Sequence, residues 1–214
     1  MGNQWTVVRR DDSALGIKDG QIEIVAAAGD INGAADNAAN LVLQSANTDW
    51  TIETKLRTSD VPAAPAQNAG LVAYQDDSHF VKLVYATPGF RRGQQQTDAP
   101  SVGGLQFYVE ENGAAKSTLN VNLAEAGVKD NTLWLRLEKD GSTYTAYYSA
   151  NGSKWNKAGQ AEIALKDIQA GLIACQGVQN MRGARPGAAP LAAPAQQPAA
   201  PFKAWFDWFR IKNR

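Results

Sequence analysis

The chain has 214 residues, 44% of them hydrophobic, and its 21 basic residues are balanced by 21 acidic ones. That length suits one large domain or two small ones, with enough apolar side chains for a core. A formal net charge of zero gives no general field to attract nucleic acid or an anionic membrane, and no window approaches the roughly 18 apolar residues of a spanning helix.

Short apolar or alternating runs, separated by Gly, Asn and Asp clusters, predict strands throughout. They fall at 5–9, 21–26, 40–44, 50–57, 70–75, 79–86, 104–110, 116–122, 132–139, 142–149, 154–158, 170–175 and 204–212. No long amphipathic helix interrupts them. So many short strands with turn-rich links predict an all-β fold, a two-sheet antiparallel jelly-roll sandwich forming a single domain over 1–214. Three stretches are predicted as loops: VPAAPAQN (61–68), RRGQQQTDAPSVGG (91–104) and the Pro/Ala-rich GARPGAAPLAAPAQQPAAP (183–201). Proline lacks the ladder donor, and the last stretch reads as a surface excursion before a dense aromatic strand.

The clearest local signal is LWLRLEK-DG-STYTAYYS. Asp140-Gly141 predicts a type I′ turn, because both central positions of that turn need positive φ. That turn would pair Lys139 with Ser142, Leu137 with Tyr144, Leu135 with Ala146 and Leu133 with Tyr148, forming one apolar face toward the core. The opposite face would carry Glu138 with Thr143, Arg136 with Thr145, and Trp134 beside Tyr147. In LQFYVEE, Leu105, Phe107 and Val109 point inward and Tyr108 outward. WTIETKLR places Ile52 and Leu56 inward, with Glu53, Lys55 and Arg57 outward. A face of this composition can recognise sugar: aromatic rings receive the C–H patches of pyranoses, and charged groups bond the hydroxyls. Trp134, Tyr147, Arg136, Glu138 and Tyr108 are therefore the candidate ligand-binding residues. The alternative is that a loop or neighbouring domain covers Trp134 and Tyr147.

YYSANGSKW (147–155) follows directly. Its S-x-N-G-x-x-W spacing resembles the Asp-box of sialidase propellers, but that box repeats across blades and here occurs once. Asn151-Gly152 reads instead as a turn whose polar side chains tie down backbone N–H groups, with Trp155 capping the hairpin.

One cysteine and one histidine limit the chemistry. Cys175 lies in the apolar run GLIAC, where a buried, inert thiol is expected. His79 opens a strand beside a tight turn and is expected to be structural or exposed, while a His-rich zinc site is impossible. A glycosidase needs two carboxylates. Glu53, Glu110, Glu111 and Glu138 could share a face, although the E-x-D-x-x-E signature of sandwich β-glucanases is absent. No catalytic residue is assigned. No cofactor is expected beyond a structural calcium, for which Asp207 with Glu23 or Asp30 offers ligands; no D-x-D-x-D-G loop supports it, and an Asp bonded to nearby backbone is the alternative.

The ordered segments WTVVRRD, GDINGAADNAANLVLQ, DWTIETKL, AGLVAYQDDSHFVKLVY, LQFYVEENG, LWLRLEKDGSTYTAYYSANGSKW, IQAGLIA and FDWFRI resemble the concanavalin A-like (laminin G-like) β-sandwich at the C-terminus of family 43 glycoside hydrolases of the β-xylosidase type. The resemblance runs from Trp5 to Ile211, with the Pro/Ala-rich loop departing from it. It implies a jelly roll with its terminal strands close together. It also implies an accessory domain, since the catalytic carboxylates of those enzymes lie in a separate five-bladed propeller. The expected role is a non-catalytic carbohydrate-binding or accessory module of an exported bacterial polysaccharide-processing protein, extracellular or periplasmic. Its partners would be a polysaccharide or oligosaccharide and a catalytic domain in a longer chain. The alternatives are a structural domain packed on that catalytic partner and a sandwich-fold hydrolase.

Overall fold

In the computed structural model, residues 2–32, 37–62, 67–86, 103–123, 126–176 and 201–214 are described. Most of the predicted Pro/Ala-rich and polar loops, at 183–200, 91–102 and 63–66, lie outside them. The first strands are β1 (Thr6–Val8), β2 (Leu15–Lys18), β3 (Gln21–Val25), β4 (Ala27–Ala28) and β5 (Leu41–Ser45). Next come β6 (Trp50–Thr58), β7 (Gln67–Asp76), β8 (His79–Ala86), β9 (Gly104–Glu111) and β10 (Ala114–Asn122). The chain ends with β11 (Thr132–Asp140), β12 (Thr143–Ser149), β13 (Asn156–Glu162), β14 (Gln169–Gln176) and β15 (Lys203–Asn213). No described residue is helical. The short strands β2 and β4 escape the sequence pattern, and β7 begins at Gln67, inside the predicted loop 61–68.

Two sheets form. The eight-stranded sheet runs β1-β5-β14-β7-β8-β9-β10 with β4 beside β14, and the seven-stranded sheet runs β13-β12-β11-β6-β15-β3-β2. The chain crosses between them repeatedly, as from β5 to β6 to β7, so the core is assembled from distant segments. Val42, Leu71, Leu83, Tyr85, Phe107 and Leu172 meet Trp50, Ile52, Leu56, Leu135, Tyr144 and Phe206 between the layers. The N-terminal segment joins the last strand there: the rings of Trp5 and Phe209 are 5.3 Å apart.

The sheets differ in what covers them. In β6 buried residues alternate with more exposed ones, so one face looks to solvent. The central strands β7, β8 and β14 are buried almost end to end. Continuous apolar runs such as FVKLVY and GLIAC are the signature of strands packed on both faces. Their outer side chains join a second apolar cluster that includes Ile31, Leu41, Leu43, Val72, Phe80 and Ile173.

Close strand packing explains Gly171 in β14. A Cβ there would collide with the carbonyl oxygen of Val42 and lie 2.9 Å from the Leu43 Cα. The β7–β8 turn is also tightly tied. Asp77 receives the Arg9 guanidinium at 2.7 and 2.9 Å and the Tyr74 hydroxyl at 3.0 Å. His79 lies 2.9 Å from Asp76 through Nδ1 and 3.1 Å from the Asn112 side-chain oxygen through Nε2. Two acceptors suit an imidazolium, which donates from both nitrogens. The Asp76 hydrogen bond raises the pKa of His79 above its ordinary value, against the opposing effect of burial.

Two predictions follow from this packing. Gly171→Ala should destabilise the domain by about 1–3 kcal/mol, as overpacking does, measured by urea unfolding. The single His79 should titrate above pH 6.5 in a proton NMR experiment, and Asp76→Asn should lower its midpoint. Because its folded pKa is raised, its stabilising contribution is complete below about pH 6.5 and is lost as pH rises through the folded value.

Candidate functional site

The outer face of the seven-stranded sheet carries most of the predicted ligand-binding residues, in a different register. Asp140 pairs with Thr143, Leu137 with Ala146 and Leu135 with Tyr148. The turn is therefore Gly141-Ser142 and not Asp140-Gly141. Only Gly141 of these residues has positive φ, at 56°, as in a type II′ turn with Gly first. Asp49 Oδ1 accepts the Gly141 N–H at 2.9 Å and fixes the turn. The change is two residues, so the inward and outward sets survive while every partner changes. Arg136 faces Tyr147, and Trp134 faces Ser149 on one side and Lys55 on the other.

Trp134 is covered on one side by the neighbouring turn. A Cβ on Gly152 would lie 2.7 Å from its Nε1 and 3.0 Å from Cδ1 and Cε2, so the glycine backbone rests against the indole. Gly152 has φ of 74°, a second reason for glycine there. Ser149 Oγ accepts the N–H groups of Asn151 and Gly152 at 3.3 and 2.9 Å. Asn151 Oδ1 accepts those of Ser153 and Lys154, each at 3.0 Å. The stretch that resembles an Asp-box is thus a hydrogen-bonded turn, which carries Trp155 onto the sheet.

Trp155 lies over the Arg136 guanidinium, with 4.0 Å from Cζ to the ring centroid. Three similar pairs surround it. Arg57 lies 4.1 Å from Trp205, Arg210 5.1 Å from Trp208 and Lys55 5.6 Å from Trp134. Acidic groups link the cations. Glu53 Oε1 accepts Arg136 Nε at 2.6 Å, and its other oxygen is 3.7 Å from Arg210. Glu138 lies 2.9 Å from Arg214 and 4.0 Å from Arg136. Trp205 Nε1 donates to Glu23 at 2.6 Å. The result is a half-buried face of planar rings and already paired charges.

A bulge in β15 builds part of this face. Phe206 pairs with Leu56 and Phe209 with Thr54, so Asp207 and Trp208 together oppose Lys55. The extra residue turns both phenylalanines toward the core. Thr54 Oγ1 donates to the Trp208 carbonyl at 2.6 Å and satisfies a group the ladder leaves over.

Tyr108 belongs elsewhere. It stands on the outer face of the eight-stranded sheet, stacked on Phe80 at 5.8 Å, and its hydroxyl donates to Glu110 at 3.0 Å. Glu110 is buried there too. Tyr108 therefore cannot share a platform with Trp134, nor Glu110 a face with Glu53 and Glu138, because the sandwich separates them. Glu111, at the end of β9, pairs with Lys116 at 3.0 Å. The calcium candidates are also divided. Asp207 pairs with Lys55 at 3.0 Å and Glu23 stands opposite Trp205, both on the seven-stranded sheet, but Asp30 lies against the other sheet.

Beneath Tyr108 is a buried polar group that sequence reasoning missed. Lys82 is wholly buried, and its Nζ donates to Asp30 at 2.7 Å. Burial works against the Asp30 charge, but Lys82, the Ile31 N–H and the Asn68 amide outweigh it and hold its pKa below the ordinary value. Cys175 joins through a 3.2 Å bond from its thiol to Asn68 Oδ1, and burial, then the Asp30 charge, push that thiol's pKa up. It is buried, as expected. The signal in the sequence was a lysine inside the apolar run FVKLVY.

Two antiparallel sheets stacked with these crossings define a concanavalin A-like sandwich. The model of the β-xylosidase C-terminal concanavalin A-like domain matches residues 1–212, and the chain belongs to that family. The family 43 glycoside hydrolase BlXynB from Bacillus licheniformis is similar over 100% of this chain and 37% of its own, at 18% identity and a TM-score of 0.73. A xylan β-1,4-xylosidase from Bacillus halodurans matches at 17% identity and a TM-score of 0.67, again over 100% of this chain and 37% of its own. A bifunctional family 43 protein from Bacteroides eggerthii matches at 14% identity and 0.69, over 100% of this chain and 24% of its own. At these identities the likeness is one of fold. The chain thus spans well under half the length of these proteins and corresponds to an accessory domain of family 43 enzymes. No curated protein sequence matches it.

The buried pair yields a stability prediction. Lys82→Met should cost about 3–5 kcal/mol, because it leaves the Asp30 carboxylate buried without its cation. Adding Asp30→Leu should recover part of that loss in urea unfolding.

Proposed function

We propose that this domain is a non-catalytic module that holds polysaccharide for a family 43-type enzyme, using the outer face of its seven-stranded sheet. One observation carries the reading: four of the six tryptophans each lie against a cation on that face. Rings braced by guanidinium groups keep their orientation, which reduces the ordering cost of a sugar stacking on them. Glu53, Glu138, Arg136 and Arg210 are held by one another and would bond hydroxyls without first rearranging. Trp155 and Tyr147, on either side of Arg136, form the centre of this platform, to which Trp134 adds the side that Gly152 leaves uncovered; Tyr108 is left out of it. Polysaccharide of this kind is met outside the cytoplasm, which supports an extracellular or periplasmic setting.

The second reading is that the same face packs on a catalytic domain. It is favoured by the family's place at the C-terminus of β-xylosidases and by the small share of the matched enzymes that this fold makes up. Affinity electrophoresis through gels containing xylan or xyloglucan separates the two. The wild-type domain should be retarded, and Trp155→Ala should lose most of that retardation, about tenfold in affinity for one stacking aromatic. If the wild type migrates freely in every polysaccharide, sugar binding at this face is wrong. A shift of tryptophan fluorescence on adding the catalytic domain would then support the interface.

A further inference from the structure

The opposite end of the β11–β12 hairpin holds a different feature. There the Gly141-Ser142 turn, the connection after β13 and the connection after β5 border an open cleft of about 460 Å³. Its lining includes Asn47, Lys139, Ser142, Leu165, Lys166 and Ile168. This volume lies within the usual range of small-molecule sites. Trp134 and Trp155 stand toward the other end of the hairpin, near Ser149, so the cleft is separate from the tryptophan face.

Lys139 is the key group. Its side chain keeps only 10% of its exposure, yet it lines the cleft. Nζ donates to Asp49 Oδ1 at 3.0 Å, and the same oxygen accepts the Gly141 N–H. An ammonium has three donors, and among the described residues Asp49 is the acceptor recorded for Lys139. Its remaining N–H groups can bond a ligand in the cleft.

Two further properties narrow the ligand. In the lining Lys166 is set against Asp167, and Lys139 is offset by its ion pair with Asp49, which lies outside the lining, so the cleft does not select for a charged molecule. Ala164, Leu165 and Ile168 add an apolar wall beside the polar groups. Donors, a carboxylate acceptor and an apolar wall around a small volume match a molecule with hydroxyls on its edge and C–H groups on its face. We infer that this cleft binds one or two rings of a neutral sugar, with Lys139 bonding a hydroxyl.

The test is an NMR titration of the domain with D-xylose, L-arabinose, D-galactose and xylobiose, with D-glucuronate as a charged comparison. Saturable shifts are expected at the amides of Gly141, Ser142 and Lys166. Lys139→Met should weaken binding about tenfold, the loss of one hydrogen bond from a charged donor. Ala164→Trp, at an exposed position on the rim, should abolish binding while leaving the thermal melt unchanged. Trp155→Ala should bind as the wild type does, so failure here and failure of the tryptophan face are told apart. The inference is overturned if no neutral sugar shifts these amides, if glucuronate binds more tightly than the neutral sugars, or if Ala164→Trp has no effect.

Discussion

The double burial of the eight-stranded sheet is the constraint on which the rest depends. A strand covered on one face can put polar side chains to water at every second position; β7, β8 and β14 cannot. Their outer side chains must be apolar or fully paired. Most are apolar. Lys82 of β8 and Asn68 of β7 are drawn into one network, with Lys82 bonded to Asp30, Asp30 to Asn68, and Asn68 to Cys175. Removing either member of the ion pair alone leaves a charge in the interior, whereas the pair fixes where the Asp30 segment lies across the sheet. Arg9 does similar work at the edge, bonding the Ala38 carbonyl and the Asp77 carboxylate.

That arrangement leaves the seven-stranded sheet to face solvent, and its outer surface follows from simple alternation. Outward positions of β6, β11 and β15 supply Lys55, Arg57, Glu53, Trp134, Arg136, Glu138, Trp205 and Arg210. Individually, exposed ion pairs contribute little to stability. Collectively these groups hold one another in place, and rigid groups with defined directions are what a recognition surface requires. The same features that make the face a modest contributor to folding suit it to binding.

The sequence showed the layers better than it showed the contacts. Alternation sorted Leu133, Leu135 and Leu137 from Trp134, Arg136 and Glu138 correctly, because a side-chain period of two depends only on the backbone. Partner assignment failed at Asp140-Gly141, where the strong local preference of Asp-Gly for one turn yielded to a turn one residue later, held by Asp49 from a distant loop. WFDWF misleads in another way. Strict alternation puts Phe206 and Phe209 on opposite faces, and only the bulge opposite Lys55 brings both inward. Tyr108 was correctly read as outward, but outward from which sheet is a question of topology, and no local pattern in LQFYVEE answers it. The Lys82–Asp30 pair was hidden for the same reason, since its members are 52 positions apart.

The β11–β12 hairpin ties these levels together. Its two ends are finished by different means: Asp49 reaches in from the β5–β6 connection at one, and the Ser149–Asn151 network folds the chain back at the other. Each finishing device leaves chemistry behind it. At the first, the carboxylate that fixes the turn also holds a nearly buried ammonium at the wall of a cleft. At the second, the turn that rests Gly152 against Trp134 delivers Trp155 onto Arg136. Covering one aromatic and presenting another is a single structural act. The face therefore cannot be judged from Trp134 and Tyr147 alone, because the residue that completes it arrives from the turn whose spacing first resembled something else.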